Sequence, residues 1–477
     1  MRYKIGAITL VVVLLIIVSS SLAGVHTTFF EATDKKYDVS FGLLGKDDTY
    51  DFVIITPSEF VPGLQPLVSH KESHGIKTKI VTLNEIYDSI YFSSQGRDNP
   101  EMIKYFIKNA LENWGIEYVL LVGNKNKLPA RYLSPNISTI YSSVDEPFIS
   151  DLYYADIYDD TGYFSDWDTN NNDIFGEVTE DAMIDMVNLY PDVYIGRLLC
   201  KDSTEVGIVV GKIIIYENKT FNQSWFRNIV LCGGDDFHFL LDIGSIFLFG
   251  GKIAFEGEFI GNRIIGNMTD FNAKKLYASA HYPCGDKEAD LPTPRNINQA
   301  INNGAGFIVF CGHGNPSVWS APRPFLGKAS SFIFPPLRYR KDFVQFLKNG
   351  NKLPIAVFAA CSCGDFNETD NPIAWEFVRQ DEGGSMASFA YTRDSYMIPL
   401  GTHCTDNMDG YMAVHLFTTF IKEKKNGKDR VGNIHGELIK NYVTDHPQMS
   451  FYGLGIVIAE AWSLFGDPTL KIGGYPP

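Results

Sequence analysis

Apolar and polar positions follow a regular pattern along most of the chain. Short apolar runs bounded by turn-forming residues are typical of strands buried on both faces, and apolar residues three and four positions apart are typical of helices. In the first half the pattern predicts strands over residues 51–56, 79–82 and 118–123, and helices over residues 59–72 and 101–114. Because strands that alternate with helices form parallel sheets, we predict an α/β unit here.

The alternation resumes after a loop-rich, acidic stretch between residue 135 and about residue 190. Further strands are predicted over residues 193–198, 228–236, 307–314, 355–361 and 384–390, and helices over residues 203–217, 408–424 and 431–443. We therefore predict a parallel-sheet core built from two adjacent α/β units, at residues 51–200 and 201–477. Residues 24–50 carry no strong periodicity and are predicted to be a linker or an edge segment.

Two of the predicted strands stop at a reactive side chain, His313 in one case and Cys361 in the other. Ligands in open α/β sheets lie beyond the carboxyl ends of the strands, so both side chains are expected at one sheet edge. A thiol beside an imidazole is a nucleophile for acyl transfer. Each residue alone is equally typical of an ordinary buried side chain, and the pairing is what predicts a catalytic dyad.

In the simplest scheme the Cys361 thiolate attacks a peptide carbonyl, His313 protonates the departing amine, and water hydrolyses the thioester. The backbone N–H groups of Gly314 and Cys361 are the predicted oxyanion donors, because glycine lets the backbone approach closely. Cys363 is the competing nucleophile, but Gly364 indicates that the chain is already turning there.

A third group often orients the imidazole of such a dyad. Asp235 and Asp236 follow the apolar run at residues 229–232, so their carboxylates can reach the same sheet edge. An aspartate in this position is also common as a helix N-cap or in a solvated turn. Both interpretations stay open from the residues alone.

A separate polar segment at residues 166–177 has the spacing of a calcium-binding loop. Its oxygen-bearing side chains occupy the positions that an EF-hand loop uses, and they are Asp166, Asp168, Asn170, Asn172 and Glu177. Asn171 stands where such loops place glycine, and asparagine tolerates the left-handed backbone well. We predict a structural calcium ion here, although a polar surface turn is the simpler alternative.

Composition restricts the partners. The 477 residues carry a net charge of −15, which disfavours nucleic acid as a ligand. Glycine-rich phosphate loops are missing from the sequence, so no organic cofactor is expected. The seven cysteines form an odd number, which leaves at least one thiol free in an exported chain.

The N-terminus has the order of a secretory signal. Arg2 and Lys4 precede an apolar segment at residues 5–18, and small residues follow up to Ala23. Residues 1–23 are therefore predicted to be a signal peptide or an uncleaved N-terminal anchor. We expect an extracytoplasmic protein, secreted or anchored, that contacts the membrane only through this segment.

The chain resembles the gingipain-type cysteine peptidases, which are relatives of the caspases. The similar segments are residues 120–123, 128–132, 151–156, 190–197, 312–314, 360–366 and 465–468. The resemblance implies a caspase-like α/β core, with the catalytic subdomain at residues 201–477 and with protein or peptide substrates. By position it implies His313 as the catalytic histidine, Cys361 as the nucleophile and Asp235 as the third residue.

The resemblance also bears on calcium and on specificity. Family members bind structural calcium, which agrees with the predicted loop. In Arg-cleaving members an acidic residue of the substrate pocket lies two positions beyond a Gly-Glu pair, and Ile260 stands there in this chain, after Gly257 and Glu258. Isoleucine cannot pair with a guanidinium, so arginine specificity is not implied, and Glu256 or Glu258 is the candidate acid of the pocket.

Three functions remain open from the sequence. The first is an exported cysteine endopeptidase. The second is a sortase-like transpeptidase on the same fold, in which an amine takes the thioester. The third is a catalytically silent, calcium-stabilised surface binding protein, and the intact His313 and Cys361 favour the first two over it.

Overall fold

The computed structural model of the chain describes residues 49–138, 143–179, 182–236, 255–283, 285–326, 328–397, 404–447 and 453–477. The predicted leader at residues 1–23 and nearly all of the segment at residues 24–50 lie outside these ranges. Asp48–Pro477 form one compact unit. Within the described ranges, no helix is both long and apolar enough to cross a bilayer.

The strands of the described ranges are numbered in chain order. They are β1 Phe52–Thr56, β2 Thr78–Thr82, β3 Tyr118–Val122, β4 Arg131–Leu133, β5 Pro135–Ser138, β6 Ser143–Val144, β7 Phe148–Ser150, β8 Val178–Thr179, β9 Tyr194–Leu198, β10 Asn228–Gly233, β11 Asn272–Tyr277, β12 Phe307–Cys311, β13 His313–Asn315, β14 Val318–Ser320, β15 Arg338–Arg340, β16 Ile355–Ala359, β17 Ala387–Tyr391 and β18 Trp462–Phe465.

The α-helices of the same ranges are α1 Val61–Ser73, α2 Leu83–Tyr87, α3 Asn99–Trp114, α4 Leu152–Ala155, α5 Ser203–Lys219, α6 Glu256–Asn267, α7 Pro294–Asn303, α8 Ile373–Arg379, α9 Met408–Lys425, α10 Val431–Asp445 and α11 Gly453–Ala461. Short 3₁₀ segments lie at Ser58–Phe60, Ser224–Arg227, Lys328–Phe332 and Lys341–Phe346. Local signals set the helix starts: Asp98 and Asp202 accept the backbone N–H three residues on and cap α3 and α5.

Ten of the described strands form one sheet in the order β11-β10-β12-β16-β17-β18-β9-β3-β1-β2. The first five of these are parallel to one another, and so are the last four. Between the two groups, β18 runs antiparallel to β17 and parallel to β9. The two groups therefore run in opposite directions, and their carboxyl ends lie at opposite edges of the sheet.

This sheet confirms the predicted fold class and most of the predicted elements. Every residue of β1, β3, β12, β16 and β17 is buried, as expected of strands covered on both faces. The predicted strand at residues 228–236 is shorter than expected, because β10 ends at Gly233 and the acidic residues after it lie in a loop. Strands from both predicted α/β units belong to the single sheet.

Candidate active site

The two strands that were predicted to end at His313 and Cys361 are neighbours in the sheet. β12 pairs in parallel with β16, and Cys311 lies opposite Ala359 at the ends of both strands. The backbone N–H of Gly312 donates to the carbonyl oxygen of Ala359 at 3.1 Å. His313 and Cys361 therefore leave the sheet at the same edge and side by side, as the strand-end argument predicts.

Gly314 is the point of closest approach between the two segments. A Cβ atom at this position would lie 2.5 Å from the carbonyl oxygen of Cys361 and 2.6 Å from the sulfur of Cys363. Any side chain would push the histidine segment away from the cysteine segment, so the glycine is required by the packing. The role of Gly314 and Cys361 as oxyanion donors stays a prediction.

The imidazole of His313 is half-buried and is held by the main chain. Its Nε2 atom lies 3.1 Å from the carbonyl oxygen of Asp236. A carbonyl can only accept, so Nε2 carries the hydrogen of this bond, and Nδ1 is the nitrogen that takes up a proton in the neutral ring. Asp236 thus orients the imidazole through its backbone.

The role of Asp235 as the third catalytic residue stays a prediction. The Asp235 carboxylate contacts the main chain of the loop after β14. Its Oδ2 atom accepts the backbone N–H of Phe325 at 2.5 Å, and Asp235 is fully buried. Phe325 has a φ of +65°, a value that is rare and strained for a bulky residue. This contact anchors the loop that follows β14, next to the histidine.

Cys361 is the more accessible of the two candidate nucleophiles. It is half-buried, whereas Cys363 is fully buried. Ser362 follows with a φ of +53°, so the chain turns directly after Cys361, as predicted. Burial, with Asp394 adding to it, raises the pKa of the Cys361 thiol to about 11, and burial raises the pKa of Cys363 well above its usual range.

Two residues that the sequence analysis missed contact the thiol region. The Cys361 thiol donates to the backbone oxygen of Ser395 at 3.4 Å, and the Ser395 hydroxyl donates to Oδ2 of Asp409 at 3.1 Å. Ser395 follows β17, the next strand of the sheet, and Asp409 lies in the first turn of α9. Applying the strand-end argument to β17 as well would have pointed to Ser395.

The predicted substrate-pocket residues lie on α6. The Glu258 carboxylate accepts the backbone N–H of Ser279 at 2.8 Å and its hydroxyl at 2.5 Å, and burial raises the pKa of Glu258 to about 7. Ile260 is fully buried in the core. The side chain at the predicted specificity position therefore packs inside the protein.

The predicted calcium loop adopts part of the expected geometry. Asn171 has a φ of +59°, as predicted. Arg97 donates to Asp166 at 2.7 Å and to Asp168 at 2.6 Å, while the side-chain amides of Asn170 and Asn172 donate to Glu177 at 2.8 and 2.7 Å.

This arrangement divides the five predicted ligands into two groups. In the described residues no three His, Cys, Asp or Glu side chains converge as a metal site would require. The oxygen donors have the chemistry that calcium prefers, but a guanidinium neutralises two of them, so calcium would have to displace Arg97.

The model of peptidase family C25 matches residues 46–473. The chain belongs to this family.

Curated relatives of this chain include gingipains of Porphyromonas gingivalis. The chain is 23% identical to Gingipain R2 over 435 residues, which cover 88% of this chain and 45% of that protein. It is 22% identical to Gingipain R1, of which it covers 34%. The chain thus spans less than half the length of these curated relatives.

Solved structures show the same fold at low identity. The crystal structure of the Arg-specific cysteine proteinase gingipain R (RGPB) superposes with a TM-score of 0.60 at 20% identity, covering 91% of this chain and 80% of that one. A complex of the RgpB pro- and mature domains also gives a TM-score of 0.60 at 19% identity, covering 88% and 79%.

Proposed function

We propose that this chain is a cysteine endopeptidase that hydrolyses peptide bonds through Cys361 and His313. The observation that carries the proposal is the placement of an accessible thiol and an imidazole at the ends of two paired strands, joined by the close packing of Gly314. Membership of peptidase family C25 supports the same activity.

The contacts support the following sequence of steps. His313 takes the thiol proton on Nδ1 while Nε2 stays bonded to the Asp236 carbonyl. The Cys361 sulfur then forms a bond to the substrate carbonyl carbon, and the peptide C–N bond breaks as the amine receives the proton from His313. Water adds to the thioester and releases the acid, which restores the thiol.

The resting thiol has a high pKa, so this scheme needs the proton to leave with the help of a base. His313 supplies that base, and the fixed carbonyl of Asp236 supports the imidazolium that forms. The carboxylate of Asp235, which holds the strained Phe325, is proposed to keep the loop beside the histidine in place.

We propose protein or peptide substrates but not arginine specificity. The Arg-specific proteinase among the structural neighbours is named for its own substrate preference. In this chain the corresponding position is Ile260, which is uncharged and buried. We also propose that the protein acts outside the cytoplasm, from the signal-like order of residues 1–23.

A mixed peptide library tests the activity and its product class. We expect Cys361→Ala and His313→Ala each to lower kcat/KM by about a thousandfold or more. Cys363→Ala is the matched control and should keep activity within a few-fold, because its sulfur is fully buried. Peptide products joined to added amines would establish transpeptidation instead, and no cleavage by the wild type would refute the proposal.

A further inference from the structure

In the described part of the chain, the sulfur of Cys361 has hydrogen-bond contacts with Ser395. The thiol lies 3.4 Å from the Ser395 carbonyl oxygen and 3.8 Å from its hydroxyl oxygen. A carbonyl only accepts, so of these two oxygen groups the hydroxyl is the one that can donate to a thiolate. The direction in which that hydroxyl points therefore decides how well the sulfur tolerates negative charge.

The direction of the Ser395 hydroxyl depends on Asp409. The hydroxyl has one hydrogen, and Oδ2 of Asp409 lies at 3.1 Å, closer than the sulfur. An ionised carboxylate is the stronger acceptor and takes this hydrogen, so the hydroxyl then presents only its oxygen to the sulfur. When Asp409 is protonated it can donate to the hydroxyl oxygen, and the hydroxyl hydrogen becomes available to the sulfur.

We propose that Asp409 decides whether the Ser395 hydroxyl donates its hydrogen to the Cys361 sulfur or to the Asp409 carboxylate, and so controls thiolate formation. Both are positioning residues, because neither is required to touch the substrate. The inference rests on the proposed function for its consequence in catalysis, but the coupling itself is a property of the free thiol.

Asp409 is placed to change its charge near neutral pH. It is buried, no cation pairs with it in the described part of the chain, and burial raises its pKa to about 7. Groups on other elements face this carboxyl and share its electrostatic environment, namely Tyr391, Cys311, Cys363 and Asp236. The exposed Asp394 also faces Cys361, so it has to be separated from Asp409 in any test.

The test is the pH dependence of Cys361 alkylation by iodoacetamide, measured on the full chain by peptide mass spectrometry. In this reaction the thiol releases its proton to the buffer, and the thiolate forms a C–S bond and displaces iodide. Asp409→Asn replaces the carboxylate with a neutral amide that can donate to the hydroxyl oxygen. We expect about tenfold faster alkylation at pH 7.5, which is one pKa unit.

A double-mutant cycle distinguishes an effect that the Ser395 hydroxyl transmits from the direct electrostatic effect of the Asp409 charge on Cys361. In a Ser395→Ala background, Asp409→Asn should change the rate by less than about twofold. Asp394→Asn is the matched control, and its effect should be equal in both backgrounds, because its charge acts without Ser395. An Asp409→Asn effect that is absent, or that persists in full without the hydroxyl, overturns the proposal.

Ser395→Ala alone provides a second measurement if Asp409→Asn fails to fold. It should slow alkylation more at about pH 6, where Asp409 is protonated, than at about pH 8. An equal effect at both values refutes the coupling through Ser395. Alkylation of Cys361 needs no substrate, so the two proposals can fail separately. If Asp409 affects alkylation through Ser395 but no peptide is cleaved, only the proposed peptidase activity is refuted. If peptides are cleaved but Asp409 has no such effect, only the coupling through Ser395 is refuted.

Discussion

Two clusters of buried ionisable side chains differ in how their charge is balanced. The first joins Lys71 of α1, Glu217 of α5 and Asp467 after β18. The second lies at the carboxyl ends of β10, β16 and β17 and contains Asp236, Cys361 and Asp409.

In the first cluster one lysine pairs with both carboxylates. Lys71 Nζ lies 2.8 Å from Glu217 and 2.7 Å from Asp467, and none of the three side chains is exposed by more than 1%. Burial opposes ionisation of Glu217, but Lys71 holds its pKa down at about 2. These contacts join two helices and the C-terminal segment, and all three side chains are charged.

The second cluster shows no such compensation among the described residues. Within these residues neither carboxylate oxygen of Asp236 receives a hydrogen bond, and burial followed by Glu256 raises the pKa of Asp236 well above its usual range. Burial likewise raises the pKa of Asp409 and of the Cys361 thiol. The charge pairs of the first cluster serve the fold. In the second cluster burial shifts the pKa values of groups that lie beside a thiol and an imidazole, and such shifts are typical of catalytic sites.

Breaking the paired cluster should have the largest effect on stability. Lys71→Met removes the ammonium group that two buried carboxylates share and should lower the free energy of unfolding by about 3–5 kcal/mol, measured by urea denaturation at neutral pH. Lys348→Met removes the partner of Glu382 at an exposed pair and should cost less than about 0.5 kcal/mol. A loss at Lys71 as small as that of the control would contradict the comparison.

The two clusters should respond to pH in opposite directions. Asp409 has a higher pKa in the folded chain than its ordinary 3.8, so its contribution to stability falls as pH rises from about 4 to about 7. Asp409→Asn should therefore stabilise the protein by an amount that grows over this window to about 4 kcal/mol.

Glu217→Gln should show the opposite pH dependence of stability in the same series of denaturation measurements. The folded pKa of Glu217 lies below its ordinary 4.5, so its stabilisation is present above that pH and is lost as pH falls toward 2. The substitution should destabilise the protein at neutral pH and become neutral in acid. Parallel pH profiles for the two variants would show that the clusters do not differ.

A third group of charges, in which Arg97 pairs with Asp166 and Asp168, can be tested with calcium. If the loop binds the ion, about 1 mM calcium should raise the Tm by a few degrees over chelator. Glu177→Gln should remove the rise, and Asp173→Asn, an equal loss of charge in the same loop, should keep it. An unchanged Tm in the wild type would leave Arg97 as the cation of this loop.

Local patterns predicted the elements well, because each strand or helix is set by residues close in sequence. The apolar runs that became β12 and β16 are buried along their whole length, and Asn171 has the backbone expected of it. The pairing of His313 and Cys361 at one edge was also predictable, since parallel strands present their carboxyl ends together. The contact of Asp235 with Phe325 was not, because two neighbouring acids after a strand are indistinguishable in sequence.

The sequence by itself determined the α/β fold, the family and the two side chains at the centre of the proposed chemistry, since these follow from periodicity and from short motifs. Only the tertiary structure decided three sets of contacts. Ser395 contacts the Cys361 thiol and Asp409 contacts Ser395, Arg97 pairs with two aspartates of the acidic loop, and Lys71 pairs with Asp467. These contacts join residues far apart in the chain, and the order and direction of the strands, which no local pattern encodes, bring them together.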